Sequence, residues 1–146
     1  MSSASYNHHM AEAKPPVAAE LVWSGDLRFA ATSGESAIVT DGKSAAGPSP
    51  VQLLAIALAG CMAADVVDIL LKGRHPLTAF RTTITGTRAQ EPPKRLLTAH
   101  LRFHVHGAVP PAAVERAITM SRDKYCSVSQ SLRPDIEITT EFEILP

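Results

Sequence analysis

Two cysteines are the residues of this chain best suited to chemistry. Cys61 lies in Ala59-Gly60-Cys61-Met62-Ala63-Ala64, and Cys126 lies in Lys124-Tyr125-Cys126-Ser127-Val128-Ser129. A cysteine acts as a nucleophile or a redox group only as its thiolate, so its surroundings decide what it can do. Cys61 falls in the middle of an apolar helical segment, too far from that helix's N-terminus to gain much from the dipole. Asp65 lies one turn further on along the same face, which opposes ionisation. Its residue type and neighbours also fit a small core thiol, and a reactive role needs an activating group from outside its own helix. Cys126 follows a short helix close to Arg122 and Lys124, a more exposed and electropositive setting, although a structural thiol fits there too.

His100, His104 and His106 share one face of a predicted strand, so they were tested as metal ligands. No cysteine or carboxylate stands at a recognised ligand spacing from them, which makes a solvated sheet face the better reading and leaves no metal site predicted. A glycine-rich phosphate loop and a nucleophile-elbow serine are both missing.

The elements that must position the cysteines follow from the pattern of the whole chain. Residues 1–19 are polar, contain Pro15-Pro16 and lack periodicity, and are read as a flexible tail; residues 20–146 form the domain. From Glu20 to Asp41 short extended runs alternate with the turn residues Ser24-Gly25-Asp26, Ser33-Gly34 and Asp41-Gly42, a β-meander. Ser49-Pro50 then supplies an N-cap and a first-turn proline. The helix Val51 to Lys72 is apolar on every side in its first half, with Asp65, Asp68 and Lys72 appearing in its second, until Gly73 ends it and Pro76 prevents its restart. A helix of that kind needs cover on every side, which implies a second subunit. Strands follow at Phe80 to Thr87 and Leu96 to His106. A second helix runs from Pro110-Pro111 to about Lys124, with Val114, Ala117, Ile118 and Ser121 on one stripe. A last strand alternates Ile136, Ile138, Thr140, Phe142 and Ile144 with polar residues. The fold class is α+β, with antiparallel sheets packed around a long hydrophobic helix.

Composition narrows the partners. Fourteen basic and fourteen acidic side chains cancel, so the formal net charge is zero, and nothing attracts a nucleic acid or an anionic membrane surface. The longest apolar run, Leu53 to Ala64, is shorter than the about 18 residues a membrane span requires. With no secretory signal pattern, the chain is expected in the cytoplasm, where two thiols more often pair transiently than permanently.

The segment Ser49-Pro50-Val51-Gln52-Leu53-Leu54-Ala55-Ile56-Ala57-Leu58-Ala59-Gly60-Cys61-Met62-Ala63-Ala64-Asp65-Val66-Val67, followed by Lys124-Tyr125-Cys126-Ser127-Val128-Ser129, resembles the OsmC/Ohr family of osmotically inducible and organic hydroperoxide resistance proteins. The resemblance spans about Leu21 to Leu145 and is nearer the broad OsmC-like branch than Ohr itself. It implies an intertwined homodimer with a long central helix from each chain and active sites at the subunit interface. It further implies a thiol-dependent peroxidase in which Cys61 is peroxidatic and Cys126 resolving, acting on organic hydroperoxides with an external dithiol as reductant and no bound cofactor. The arginine and glutamate that activate family peroxidases have no counterparts here. The meander loop reads Thr32-Ser33-Gly34-Glu35-Ser36, and Val51 follows Pro50. Arg28, Arg81, Lys124 and Arg133 are the candidate replacement cations. The alternative reading is a non-catalytic dimer that binds an apolar small molecule or serves as a thiol redox sensor.

Overall fold

The computed structural model describes residues 13–146; the predicted tail lies largely outside the described residues. Strands β1 (Glu20–Trp23), β2 (Arg28–Ser33) and β3 (Ser36–Asp41) form an antiparallel meander in that order. Helix α1 (Pro50–Lys72) follows. The second sheet contains β4 (Ala79–Thr85), β5 (Thr98–His106) and β6 (Glu137–Leu145), with α2 (Pro111–Met120), a single π-helical turn (Ser121–Tyr125) and α3 (Ser127–Ser131) between its last two strands.

One pairing differs from the sequence reading: β4 and β5 are antiparallel, but β5 and β6 run parallel, from Thr98 opposite Glu137 to His106 opposite Leu145. Alternation along a strand reports which face is wet and carries no information on direction. The helical crossover between β5 and β6 is what permits parallel pairing, because such a connection needs roughly a dozen residues or more.

The core lies between the second sheet and the helices. Leu58, Met62, Val66 and Leu70 form the buried stripe of α1, four residues apart, and meet Ala99, Leu101, Phe103 and Val105 of β5 and Val114, Ala117 and Ile118 of α2. Each large side chain so buried contributes about 1.5–3 kcal/mol. Phe80 packs on Phe103 with ring centroids 5.9 Å apart.

The other sides of α1 remain open: Ile56 and Leu71 are each 55% exposed. The helix is long and apolar enough to cross a membrane by length and composition, with a mean hydropathy of 2.1 over its best window. In this fold it is instead the central element of a layered α+β unit. The meander is also bare, with Leu21, Val22, Trp23, Leu27, Ile38 and Val39 exposed.

The start of α1 is fixed by the end of β3. The buried Asp41 carboxylate accepts the N–H groups of Lys43, Ala45 and Ala46 at 2.9, 3.2 and 3.0 Å, and Thr40 Oγ1 donates to the Pro48 carbonyl at 3.0 Å. This loop delivers Ser49 into a capping box, in which Gln52 N–H donates to Ser49 Oγ and Ser49 N–H donates to Gln52 Oε1. At the far end Gly73 keeps a right-handed φ of −73°, and Arg74 takes the left-handed turn at +57°. A Cβ on Gly73 would approach the His75 ring at 2.8 Å, so its smallness, rather than a positive φ, suits the position.

The face bearing the three histidines is not simply solvated. His104 is buried, hydrogen-bonded through Nδ1 to Glu143 and approached by Arg81 at 3.2 Å; His100 bonds Thr139 and Glu141 at 2.8 and 3.1 Å. The parallel register places each of these β6 partners beside β5, so His100 and His104 are engaged in cross-strand pairs.

The N–H of Lys43 above all, with those of Ala46 and Ala45, holds the Asp41 carboxyl below its ordinary pKa. Its contribution to stability is therefore complete above the ordinary carboxylate value and lost as pH falls through the lowered one. Asp41→Asn should be less stable near neutrality and show a flatter loss of stability on acidification, read as denaturant midpoint against pH. An unchanged acid profile would contradict this role.

Candidate active site

Cys61 lies in the middle of α1, one position before the buried Met62, and is half-buried. Asp65 follows one turn later on the same side of the helix. Cys126 is fully buried, and its position differs from the sequence reading. It closes the π-helical turn through a 2.8 Å bond from its N–H to the Ser121 carbonyl and serves as the N-cap of α3. There its Sγ accepts the Ser129 N–H at 3.4 Å, while Ser129 Oγ donates to the Cys126 carbonyl at 2.9 Å.

These elements bring the two cysteines together. One donor atom from each of Cys61, Asp65 and Cys126 lies within 4.8 Å of the other two, and both thiols are free. Ser127 Oγ stands 3.9 Å from Cys61 Sγ. Asp65 is oriented by the fully buried Ser121, whose Oγ donates to Asp65 Oδ2 at 2.8 Å. Beside Asp65 a cavity of about 500 Å³ opens, lined also by Asp68, Ile69, Lys72, Met120 and Tyr125.

The pair is electrostatically unequal. Burial pushes the Cys61 thiol up, but hydrogen bonds from the Val128 N–H, the Cys126 thiol and the Ser127 hydroxyl outweigh it. Asp65 acts against them, and the net result lies below the ordinary thiol pKa. Burial also dominates at Cys126, where the Ser129 hydrogen bonds are insufficient to compensate and Cys61 adds to the rise, so this thiol is held above its ordinary value. Cys126 is thus the weaker acid of the two thiols, and its proximity helps to lower Cys61. Such a pair sets a more acidic, half-buried thiol against a less acidic, buried one, with their sulfurs within 4.8 Å.

The activating groups are those the sequence reading left unnamed. The Val128 N–H and the Ser127 hydroxyl come from the first turn of α3; the signal was Cys126-Ser127-Val128-Ser129 itself, a cysteine followed by serines that can cap a new helix. Among the candidate cations, Arg28 pairs with Asp26, Arg81 meets His104, Lys124 lies over the Tyr125 ring and Arg133 binds Asp135. Within the chain, Cys61 is tuned by hydrogen bonds rather than by a replacement arginine.

Comparison with known proteins identifies the family and the fold. The family described as OsmC-like protein matches residues 40–141. The protein YhfA of Escherichia coli (strain K12) is 38% identical over 133 residues, spanning 87% of this chain and 97% of that protein. A crystal structure of an OsmC-like protein from Mycoplasma pneumoniae superposes with a TM-score of 0.80 at 18% identity, covering 92% of this chain and 100% of that one. The organic hydroperoxide resistance protein OhrB of Bacillus subtilis shares the fold with a TM-score of 0.62 at 12% identity, covering 88% of this chain and 98% of that one.

Iodoacetamide should modify Cys61 ahead of Cys126 in the folded protein, with a rate that rises as pH passes through the lowered Cys61 value and then levels off. Ser127→Ala removes one stabilising donor and should slow alkylation near neutrality about 2- to 10-fold. Peptide mapping by mass spectrometry reads both effects, and equal labelling of the two cysteines would contradict the asymmetry.

Proposed function

The chain belongs to the OsmC-like family, and on that premise we propose that it is a cytoplasmic thiol peroxidase that reduces organic hydroperoxides. The observation that carries this reading is the approach of the Cys61 and Cys126 sulfurs within 4.8 Å, with Cys61 the more accessible thiol and Cys126 buried beside it. The Cys61 thiolate attacks the terminal peroxide oxygen. The O–O bond breaks, the alkoxide takes a proton and leaves as alcohol, and Cys61 becomes a sulfenic acid. The Cys126 sulfur then attacks the Cys61 sulfur, its proton and the departing hydroxide leave as water, and a disulfide remains. An external dithiol returns both cysteines to thiols by exchange. The sulfurs need close by under 3 Å to reach the bond length of about 2.05 Å, a movement within the range of side chains at a short helix start.

The functional unit in this reading is a homodimer. The exposed apolar residues of α1, among them Leu54, Ile56 and Leu71, and those of the meander, among them Val22, Trp23 and Ile38, are the surfaces a second copy covers. An apolar wall of that kind beside the cysteines suits a bulky hydroperoxide over hydrogen peroxide.

A second reading is favoured by Asp65, whose charge opposes Cys61 ionisation, and by the engagement of Arg28, Arg81, Lys124 and Arg133 elsewhere. In it the dimer is a slow thiol redox sensor or an apolar-ligand binder.

Brief exposure of reduced protein to stoichiometric cumene hydroperoxide should produce a Cys61–Cys126 disulfide, faster than hydrogen peroxide does, and Cys61→Ser should remain unchanged. Intact-mass and peptide mapping check this; thiols unmodified after minutes would leave the second reading. For the dimer, Ile56→Glu should raise the dissociation constant at least about tenfold, since one large apolar side chain buried per copy is worth about 1.5–3 kcal/mol. Sedimentation velocity measures it, and an unaltered association would place the interface elsewhere.

A further inference from the structure

Asp65 is a carboxylate that the peroxidase reading does not use and that works against Cys61 ionisation. Its orientation is nonetheless built in. Ser121, fully buried at the start of the π-helical turn, donates to Oδ2 at 2.8 Å, and this is its one hydrogen bond to a side chain among the described residues. The carboxylate so held stands with two sulfurs around a common point, all three donor atoms within 4.8 Å of one another.

We propose that Cys61, Asp65 and Cys126, with both thiols reduced, form a site for a tetrahedral, borderline-soft divalent cation of the Zn²⁺ type, with water as the fourth donor. Thiolate–metal distances of about 2.3 Å and carboxylate distances of about 2.0–2.2 Å put neighbouring donors of a tetrahedron roughly 3.5–3.8 Å apart. The present spacing contracts to that by about an ångström of side-chain movement. Cys61 and Asp65 supply two donors from consecutive turns of one helix, and Cys126 supplies the third from the facing segment. Two thiolates disfavour Mg²⁺ and Ca²⁺, which take oxygen donors. The cavity of about 500 Å³ reaches the cluster on its Asp65 side, where solvent meets the carboxylate.

Ser121 acts here as a positioning residue, fixing the carboxylate through its bond to Oδ2. On binding, each thiol releases its proton to solvent and both sulfurs become thiolate donors. A Cys61–Cys126 disulfide removes both donors at once, so metal and disulfide exclude each other, and the cation shields the thiols whenever it is bound. The site depends on the two thiols and the carboxylate and holds whether or not the chain turns over peroxides.

Reduced full-length protein titrated anaerobically with Co²⁺ should take one equivalent with a thiolate-to-cobalt charge-transfer band and the visible bands of a tetrahedral centre, all displaced by Zn²⁺. Binding by imidazole alone gives no such charge-transfer band. Asp65→Asn, which can still accept the Ser121 hydrogen bond, should weaken the site at least about tenfold, and Ser121→Ala about 10-fold. Thermal melting of the metal-free variants verifies that they fold. Diamide-oxidised protein should bind no Co²⁺ at this site. The proposal is overturned by the absence of the thiolate band in reduced protein, by unchanged affinity in Asp65→Asn, or by equal binding to the disulfide form. A peroxidase failure with an intact cobalt spectrum would sink the functional reading and leave this one standing.

Discussion

The rotation of α1 about its own axis is the constraint on which the thiol pair depends. Leu58, Met62, Val66 and Leu70 make a single buried line along the helix, and the second sheet with α2 accepts that line and no other. Cys61 and Asp65 each precede a member of the line by one residue, so they sit about 100° round from it. That angle places them at the boundary between core and surface, facing the π-helical turn and α3. A helix turned one residue further would bury both side chains; turned the other way, it would give them to solvent, far from Cys126. Packing of four apolar side chains thus sets the position of Cys61 and Asp65.

What the facing segment adds is polarity between two chemically identical groups. Cys126 is withdrawn from water completely and meets Ser129 donors, while Cys61 meets the Val128 N–H, the Ser127 hydroxyl and the Cys126 thiol. One short segment consequently raises one thiol and lowers the other. Asp65 pulls in the opposite direction, and Ser121 keeps it there rather than letting it swing away. The arrangement sets a thiol of lowered pKa against a nearby carboxylate, both fed by hydrogen bonds from the segment Ser121 to Val128.

The sequence carried the elements well because each has a local cause. The turn glycines and aspartates punctuate the meander, Ser49-Pro50 opens α1, and the two-residue period of β5 exposes its apolar face. Both cysteines were identifiable from residue type and from the family resemblance. What was not legible depends on partners distant in the chain. The direction of β6 depends on the crossover, and the burial of His104 depends on Glu143 and Arg81. The helix read as running to about Lys124 changes type at Ser121, and Cys126 begins a new helix rather than trailing an old one. The donors that tune Cys61 belong to a helix start that Cys126-Ser127-Val128-Ser129 announces, but nothing in their spacing from residue 61 tells that this start faces Cys61.

The π-helical turn has a consequence for how this chain can vary. A π turn holds one residue more than an α turn, and here its last bond runs from the Cys126 N–H to the Ser121 carbonyl. With one of residues 122–125 removed, the same bond would span four residues and close an ordinary α turn, and the cysteine would keep nearly the same angle, since four residues of an α-helix and five of a π turn both sweep about 400°. Straightening the turn into an α-helix at its present length would instead swing Cys126 by about 100° and turn its sulfur away from Cys61. What ties Cys126 to its place is therefore the pairing of its N–H with the Ser121 carbonyl, and not the number of residues between them.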